Sequence, residues 1–287
     1  MLTREQIEQF NREGYTVHRG LLSPDEVGAF LQDIETISRG NTLANHDKTR
    51  LEMEPTQPPD GTRVRRIYEP CTYYPSFRAL SESEKLLSSV EQLFGPDLTF
   101  HYSKINMKPP EIGSVVEWHQ DLSYYPLTNG DSLAVLFYLD DADRSNGCLT
   151  VIPGQHRGRL MNHMRDGLFQ GKITEPVDTS LGVPVEGKAG SAIFMHAMTP
   201  HASTTNTSNR WRRTLILSYR AADAFPIYCG ASTKNIEMHS RHVWGKPAAV
   251  ARFSFTEFPM PIRPEAAASL YELQEISRKE EQERMSA

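Results

Sequence analysis

The chain has 287 residues, a net charge of −5 and 38% apolar residues. An acidic balance provides no field that would attract a phosphate backbone or anionic lipid, so neither nucleic acid nor a membrane is an expected partner. The longest apolar run, Leu133 to Leu139, is far shorter than the ~20 residues of a membrane-spanning helix. We therefore expect a small-molecule substrate, one domain over residues 1–287 and an oligomeric state that the sequence leaves open.

Cysteine usage and the first residues indicate the compartment. Cys71, Cys148 and Cys229 are odd in number and widely spaced, which is typical of reduced thiols rather than of a disulfide framework. The stretch from Met1 to Glu5 lacks the basic start and apolar run of a secretion signal. We expect a cytoplasmic protein.

The first part of the chain, about residues 1–98, is predicted to be helical. Capping boxes at Thr3, Ser23 and Ser81 mark three helix starts, because such a side chain accepts a hydrogen bond from an orphan amide. Apolar residues at helical spacing follow the last two boxes: Val27, Phe30, Leu31, Ile34, Leu86, Leu87, Val90 and Phe94.

From about residue 99 to residue 225 the apolar pattern changes to a period of two. The predicted strands are Thr99 to Met107, Asp131 to Leu139, Cys148 to Ile152, Gly190 to Met195 and Thr214 to Arg220. No long helical pattern separates them, which favours an antiparallel double sheet over a doubly wound parallel one.

The extension over about residues 226–287 ends in a helix predicted from Pro264 to Met285. Its buried stripe is expected at Leu270, Leu273 and Ile276.

His119-Gln120-Asp121 is the single His-x-acid triplet of the sequence. Side chains two positions apart on a strand point the same way, so this imidazole and carboxylate could bind one ion. Roughly one such triplet is expected by chance in a chain of this composition. A mononuclear iron(II) oxygenase site also needs a second imidazole on the same face of the ion.

Two histidines compete for that position. His196 lies within a predicted strand, whereas His201 follows it and precedes Arg212 by eleven residues. An Arg-x-Thr pair, Arg212 and Thr214, could bind the distal carboxylate of 2-oxoglutarate, and this spacing favours His201. Arg213 is the alternative to Arg212, but neighbours on a strand face opposite ways and only one can point inward.

Three ordered motifs carry a resemblance to a known family. They are Trp118-His119-Gln120-Asp121, the segment from Asn146 to His156, and His201-x-Ser203 followed by Arg212. Together they resemble the phytanoyl-CoA dioxygenase family of iron(II)/2-oxoglutarate-dependent oxygenases, roughly from Ser103 to Arg220 and more weakly from Phe10 onward. The resemblance implies a mainly β fold, with a double-stranded β-helix (a cupin-like jelly roll) flanked by N-terminal and C-terminal α-helices.

The resemblance also implies site residues. It makes His119, Asp121 and His201 the iron ligands and the catalytic centre, and makes Arg212 the residue that binds the far carboxylate of the cosubstrate. The further cosubstrate-binding residues that it implies are Ser203 and Thr214 beside that carboxylate, Lys104 and Phe137 in the pocket wall, and one residue of the segment Arg63 to Arg66, most plainly Arg66.

The implied activity is that of an iron(II)- and 2-oxoglutarate-dependent dioxygenase of the EC 1.14.11 type. Such an enzyme uses Fe(2+), 2-oxoglutarate and O2 to hydroxylate a C–H bond of a small organic molecule, with release of succinate and CO2. Related halogenating enzymes have a small residue in place of Asp121, so the carboxylate here favours hydroxylation, desaturation or cyclisation. The alternatives are a cupin-type metalloenzyme that does not use 2-oxoglutarate and a non-catalytic binding protein on the same fold.

Residues 40–61 are polar and contain Pro55, Pro58 and Pro59. A long structureless stretch in a compact domain is usually functional or disordered. We expect this stretch to be a loop that covers the iron pocket and becomes ordered when ligands bind.

The remaining candidates are expected to be structural or to form the pocket wall: His101, His156, His163, His239, His242, Trp118, Tyr124 and Tyr125.

Overall fold

The structure, a computed structural model, describes residues 1–112, 115–263 and 270–286. Its helices are α1 (Arg4–Glu13), α2 (Pro24–Ser38), α3 (Pro70–Tyr73), α4 (Pro75–Ser81), α5 (Glu84–Phe94), α6 (Ala231–Glu237) and α7 (Leu270–Ser286). Its strands are β1 (Tyr15–His18), β2 (Leu51–Met53), β3 (Val64–Tyr68), β4 (Leu98–Lys108), β5 (Val116–His119), β6 (Ser132–Tyr138), β7 (Leu149–Val151), β8 (Met164–Arg165), β9 (Leu168–Phe169), β10 (Val183–Val185), β11 (Ala192–His196), β12 (His201–Ser203), β13 (Arg212–Ala221) and β14 (Arg241–Trp244).

Two antiparallel sheets form the centre of the fold. The larger sheet has the order β1-β11-β6-β13-β4-β3-β2, with β14 paired to β4, and the smaller sheet has the order β10-β7-β12-β5. Strands β8 and β9 form a separate hairpin. The predicted mainly β fold with an antiparallel double sheet is confirmed, and each of the five predicted strands is present.

Strand β6 shows how the larger sheet separates two cores. All seven of its residues are buried, because the strand is covered on both faces. Leu133, Val135 and Phe137 belong to the apolar core shared with the helices. The alternate residues, Leu136 and Tyr138 among them, belong to the core between the two sheets. Alternation along a strand therefore decides which side chains face the interior of the double sheet.

The predicted helix starts are confirmed at two positions. Thr3 and Ser23 each accept from the amide three residues on and complete a capping box. The box predicted at Ser81 is wrong, because α4 continues to that residue and its hydroxyl donates to the carbonyl of Arg78. Helix α5 begins after Ser83 instead, without a side-chain cap.

Helix α7 is present, but its predicted buried stripe is only partly right. Leu273 is buried and Ile276 is half-buried, and Gln274 and Ser277 are also buried. The predicted start at Pro264 and the side chain of Leu270 lie outside the described residues. In the part of the chain that the structure describes, every helix is too short or too polar to cross a membrane.

Candidate functional site

A cluster of two imidazoles and one carboxylate lies between the sheets. Strand β5 ends at His119 and β12 begins at His201, and the antiparallel pairing places these two residues directly opposite each other. Asp121 follows at the start of a short 3-10 helix. Its Oδ1 lies 3.6 Å from Nε2 of His119 and 3.9 Å from Nε2 of His201. One ligand atom from each residue lies within 4.8 Å of the other two.

Backbone carbonyl groups set the tautomer of both imidazoles. Nδ1 of His119 lies 2.7 Å from the carbonyl oxygen of Glu117, and Nδ1 of His201 lies 3.0 Å from that of Thr199. A carbonyl oxygen only accepts, so each Nδ1 carries the proton and each Nε2 offers a lone pair to the cluster.

The charge states of the cluster suit a divalent metal. Burial lowers the pKa of His201 to about 3, with a further contribution from His119, so this imidazole is neutral at pH 7. Two neutral imidazoles and one carboxylate form the donor set of mononuclear iron(II) oxygenases, so these residues fit iron(II).

Gln120 fixes the segment between the two potential ligands. It is fully buried, its Nε2 donates to the carbonyl of Met198 at 2.7 Å, and its Oε1 accepts from the amide of Met161 at 2.7 Å. The backbone amide of Gln120 donates to Nε2 of His163 at 3.1 Å. His163 is thus a structural residue that holds the backbone beside the cluster, as expected of it from the sequence.

The cluster opens into a small cavity of about 50 Å³. The residues that line it are Lys104, Asn106, Val116, His119, Asp121, Ala134, Leu136, Tyr138, Leu149, Met195, His201, Ala202, Ser203, Arg212, Thr214, Ile216 and Tyr271. The structure thus brings the three predicted metal ligands together with four predicted cosubstrate residues, Lys104, Ser203, Arg212 and Thr214.

Arg212 is a buried cation with hydroxyl neighbours. Its Nη1 donates to Thr214 Oγ1 at 2.9 Å, and its Nη2 donates to Ser203 Oγ at 3.5 Å. Its Nε is buried and has no hydrogen-bond partner among the described residues. A buried guanidinium stays charged and needs acceptors. This orphaned donor fits a carboxylate such as that of 2-oxoglutarate.

The competing residues lie on the other face of the larger sheet. Arg213 forms a two-point contact with Asp140, with nitrogen-to-oxygen distances of 2.6 and 2.8 Å. The ring of His196 packs against Phe10 and Phe94, with centroids 6.1 and 5.9 Å away. Neither residue lines the cavity in the described part of the chain.

The predicted role of Phe137 needs correction. This side chain is fully buried, but in the apolar core on the helix side of the larger sheet. Its neighbours Leu136 and Tyr138 line the cavity instead. Adjacent residues on a strand face opposite ways, so Phe137 cannot share their side.

The basic segment Arg63 to Arg66 contains both exposed and buried arginines. Arg63 is exposed, whereas Arg65 and Arg66 are buried on β3. Nη2 of Arg65 lies 2.7 Å from Glu52 Oε1. Nε of Arg66 donates to Oδ1 of Asn106, a cavity-lining residue, at 3.0 Å. Arg66 therefore adjoins the cavity without being part of its lining.

The expectation that residues 40–61 form a structureless stretch is wrong. Strand β2 lies inside this stretch and pairs with β3, and Leu51 and Met53 are buried. All residues of the stretch are described, and none of them lines the cavity.

Sequence reasoning also missed part of the wall. Asn106 and Tyr138 could have been predicted from the sequence. Asn106, for example, follows Lys104 by two positions on a strand and shares its face. Tyr271 carried no such signal, since it lies in a helix far along the chain.

Comparison with known proteins agrees with this geometry. The family described as phytanoyl-CoA dioxygenase (PhyH) matches residues 10–214. The chain belongs to this family. The motif-based prediction of the family is therefore confirmed.

Individual relatives give the same result. The chain is 33% identical to a probable alpha-ketoglutarate-dependent hypophosphite dioxygenase of Stutzerimonas stutzeri, over 79% of this chain and 82% of that protein. It is 26% identical to an ectoine dioxygenase of Bordetella parapertussis, over 77% of this chain and 76% of that protein. The crystal structure of EctD from S. alaskensis with 2-oxoglutarate and 5-hydroxyectoine superposes with a TM-score of 0.61 at 28% identity, over 77% of each chain. These likenesses confirm the predicted jelly-roll fold.

Proposed function

We propose that this member of the phytanoyl-CoA dioxygenase family binds iron(II) through His119, Asp121 and His201 and binds 2-oxoglutarate with Arg212. The protein is an iron(II)- and 2-oxoglutarate-dependent dioxygenase. The observation that carries the proposal is the convergence of the three ligand atoms within 4.8 Å of one another, beside a buried guanidinium whose Nε lacks an acceptor among the described residues.

The protein's own residues prepare the site for these ligands. The Glu117 and Thr199 carbonyl groups hold both imidazoles with Nε2 turned to the metal position. Arg212, supported by Thr214 and Ser203, binds the distal carboxylate of the cosubstrate, and Lys104 adds a second cation in the wall. Leu136, Met195 and Ile216 form the apolar part of the wall around the cluster.

When bound, iron(II) with 2-oxoglutarate and O2 supplies the oxidising power, and the products are succinate, CO2 and an oxidised substrate. The chain positions the substrate beside the metal within the small cavity. Oxidation of a C–H bond in a small organic molecule is the reaction that we expect.

A second candidate concerns the bond that is oxidised. A relative with 33% identity is named for hypophosphite, an anion with P–H bonds. Oxidation of a P–H bond therefore stands beside C–H hydroxylation. In both cases the substrate is a small molecule.

The location proposed for this reaction is the cytoplasm. Cys71, Cys148 and Cys229 are all free thiols in the structure, which suits a reducing compartment. The net charge of −5 supports the expectation that the protein does not bind nucleic acid.

A turnover assay with a panel of small molecules tests the proposal. Purified protein with iron(II), 2-oxoglutarate and O2 should release succinate, and the right substrate should raise that rate. Asp121→Ala should release none, because two imidazoles alone do not complete the metal face. The matched control is Asp140→Ala, which removes a carboxylate on the other side of the sheet and should retain succinate release.

The assay also separates the alternatives. A cupin-type enzyme of another class would bind iron but not 2-oxoglutarate. A non-catalytic binding protein would bind 2-oxoglutarate and release no succinate with any compound of the panel. Either result would overturn the proposed function.

A further inference from the structure

The C-terminal helix supplies one wall of the cavity. Tyr271, in α7, is 4% exposed and lines the cavity together with the three proposed metal ligands. The family match ends at residue 214. This wall is therefore a feature of the chain that membership of the family does not describe.

Side-chain contacts hold α7 against the strand that carries His119. Gln274 Oε1 accepts from the amide of Glu117 at 3.1 Å, and Gln274 Nε2 donates to the carbonyl of Gly171 at 2.5 Å. Arg278 donates to Oε1 of Glu117 at 2.9 Å. Because Glu117 precedes His119 by two residues, these contacts tie the position of α7 to the metal centre.

Arg66 lies directly beside Tyr271. The centre of its guanidinium is 4.7 Å from the centroid of the tyrosine ring, and its Nε donates to Asn106 at 3.0 Å. Both Tyr271 and Asn106 line the cavity. Arg66 itself is 4% exposed. The Arg66 guanidinium therefore lies directly behind two residues of the cavity wall.

One nitrogen of the Arg66 guanidinium has no hydrogen-bond acceptor among the described residues. Nη2 of Arg66 is buried and has no hydrogen-bond partner in the described part of the structure. The acid nearest to Arg66, Glu52, is 3.7 Å from its Nη1 and lies closer, at 2.7 Å, to Arg65. A guanidinium stays charged when buried, and a buried N–H without an acceptor costs free energy. An oxyanion on a ligand would supply the missing acceptor.

The charges that face the cavity favour the same kind of ligand. Asp121 is the single acid among the described lining residues, while Lys104 and Arg212 are both cations. In the proposed function the charges of iron(II), 2-oxoglutarate, Asp121 and Arg212 cancel, which leaves Lys104 as an uncompensated cation in the wall. Lys104 and the partly paired Arg66 behind the wall would both attract a second anion.

We propose that the oxidised substrate is a small anion, whose charged group binds Arg66 and Asn106 beneath the ring of Tyr271. The inference rests on the proposed function, because it assigns the substrate side of the same cavity. The wall formed by Tyr271 limits how far a substrate can extend on this side of the cavity.

Binding measurements on the loaded protein test the inference. Anaerobic calorimetric titrations of the iron(II)- and 2-oxoglutarate-loaded protein use hypophosphite and methylphosphonate as anions and ectoine as a zwitterion. We expect both anions to bind more tightly than ectoine. Arg66→Gln should weaken anion binding by about tenfold or more, since a hydrogen bond to a charged group is lost, and should leave the Kd of 2-oxoglutarate nearly unchanged.

Arg63→Gln is the matched control, because Arg63 is an exposed residue of the same basic segment. It should change neither affinity. Arg66→Lys keeps the charge without the second donor, and should retain weak anion binding if Arg66→Gln fails to fold.

Tyr271→Ala tests the wall independently of the charge. It should allow phenylphosphonate to bind about tenfold more tightly than it binds the wild-type protein, whereas Tyr271→Phe should not. Wild-type protein that binds phenylphosphonate as tightly as methylphosphonate would overturn the restriction on size.

The outcomes distinguish this inference from the proposed function. If 2-oxoglutarate binds but neither anion does, or if Arg66→Gln leaves anion binding unchanged, the small-anion assignment is wrong and the dioxygenase proposal stands. If the wild-type protein does not bind 2-oxoglutarate, the dioxygenase proposal fails, and the assignment that rests on it fails too.

Discussion

Adjacent residues on a strand of the larger sheet face opposite sides of the sheet and have different roles. On β13, Arg212 and Thr214 face the cavity, while Arg213 between them contacts Asp140 on the other side. On β6, Phe137 packs under the helices. The helix-side face is closed by apolar packing and satisfied ion pairs. The cavity face leaves donors unsatisfied, and unsatisfied buried donors are what a ligand can use.

This contrast provides matched variants in one molecule. A residue on the cavity face and its counterpart of the same or similar type on the helix-side face differ in what they contact. Substitution of each should affect a different measurable quantity, which is ligand binding on one face and stability on the other.

The largest difference in activity and iron binding is expected between substitutions of two histidines. His201→Ala should abolish succinate formation and iron(II) binding, because no described residue replaces the lost imidazole. His196→Ala removes a ring packed against Phe10 and Phe94 and should retain both properties in the folded protein. Metal titration and succinate assay check this. Loss of iron binding in His196→Ala alone would show that the faces are assigned the wrong way round.

The next difference concerns two arginines. Arg212→Ala should raise the KM for 2-oxoglutarate on the order of a thousandfold, since breaking a buried charge pair costs ~3–5 kcal/mol. Arg213 and Asp140 are partly exposed, so Arg213→Ala should change that KM less than about threefold. Steady-state kinetics at varied 2-oxoglutarate measure both values. Similar increases in the two variants would contradict the assignment.

A third test compares how two substitutions on strand β6 change the stability of the protein. Phe137→Ala should lower the free energy of unfolding by ~3–4 kcal/mol, because it leaves a void in a fully packed core. Leu136→Ala should cost less, since its side chain already borders the cavity. Urea unfolding of both variants decides the order. A larger loss for Leu136→Ala would mean that the cavity wall, rather than the helix side, carries the packing.

A fourth effect is expected in the pH dependence of stability. Burial, with a contribution from His156, lowers the pKa of His196 to about 3. The unfolded chain takes up a proton here near pH 6.5 and the folded chain does not, so this site reduces stability as the pH falls from about 6.5 toward 3. His196→Phe should flatten the stability curve in that window. Urea midpoints at several pH values test it, and an unchanged slope would show that His196 does not remain neutral.

Prediction from the sequence was most successful where periodicity determines the structure. The alternation along β13 distinguishes Arg212 from Arg213, whereas the family resemblance indicated Lys104, and the structure has both Arg212 and Lys104 in the cavity wall. Phe137 shows the limit of this reasoning. The resemblance indicated the right strand, but a displacement of one residue moves a side chain to the opposite face.

Long-range contacts account for the other errors. The polar composition of residues 40–61 hides β2, which exists because it pairs with β3. Ser81 has the sequence of a helix cap, yet its hydroxyl accepts a hydrogen bond from Arg241, 160 positions later in the chain. The position of Tyr271 depends on contacts between α7 and residues more than a hundred positions earlier. Local sequence patterns contain no information about such partners.

The contact between Gln274 and Glu117 has a consequence for solubility. Strand β5 ends the order β10-β7-β12-β5, so its outer side is a sheet edge with backbone groups that another strand could pair. The side-chain amide of Gln274 accepts from one of those backbone amides, as a neighbouring strand would. The helix thus covers part of an edge with which another strand could otherwise pair, in the same strand that holds His119.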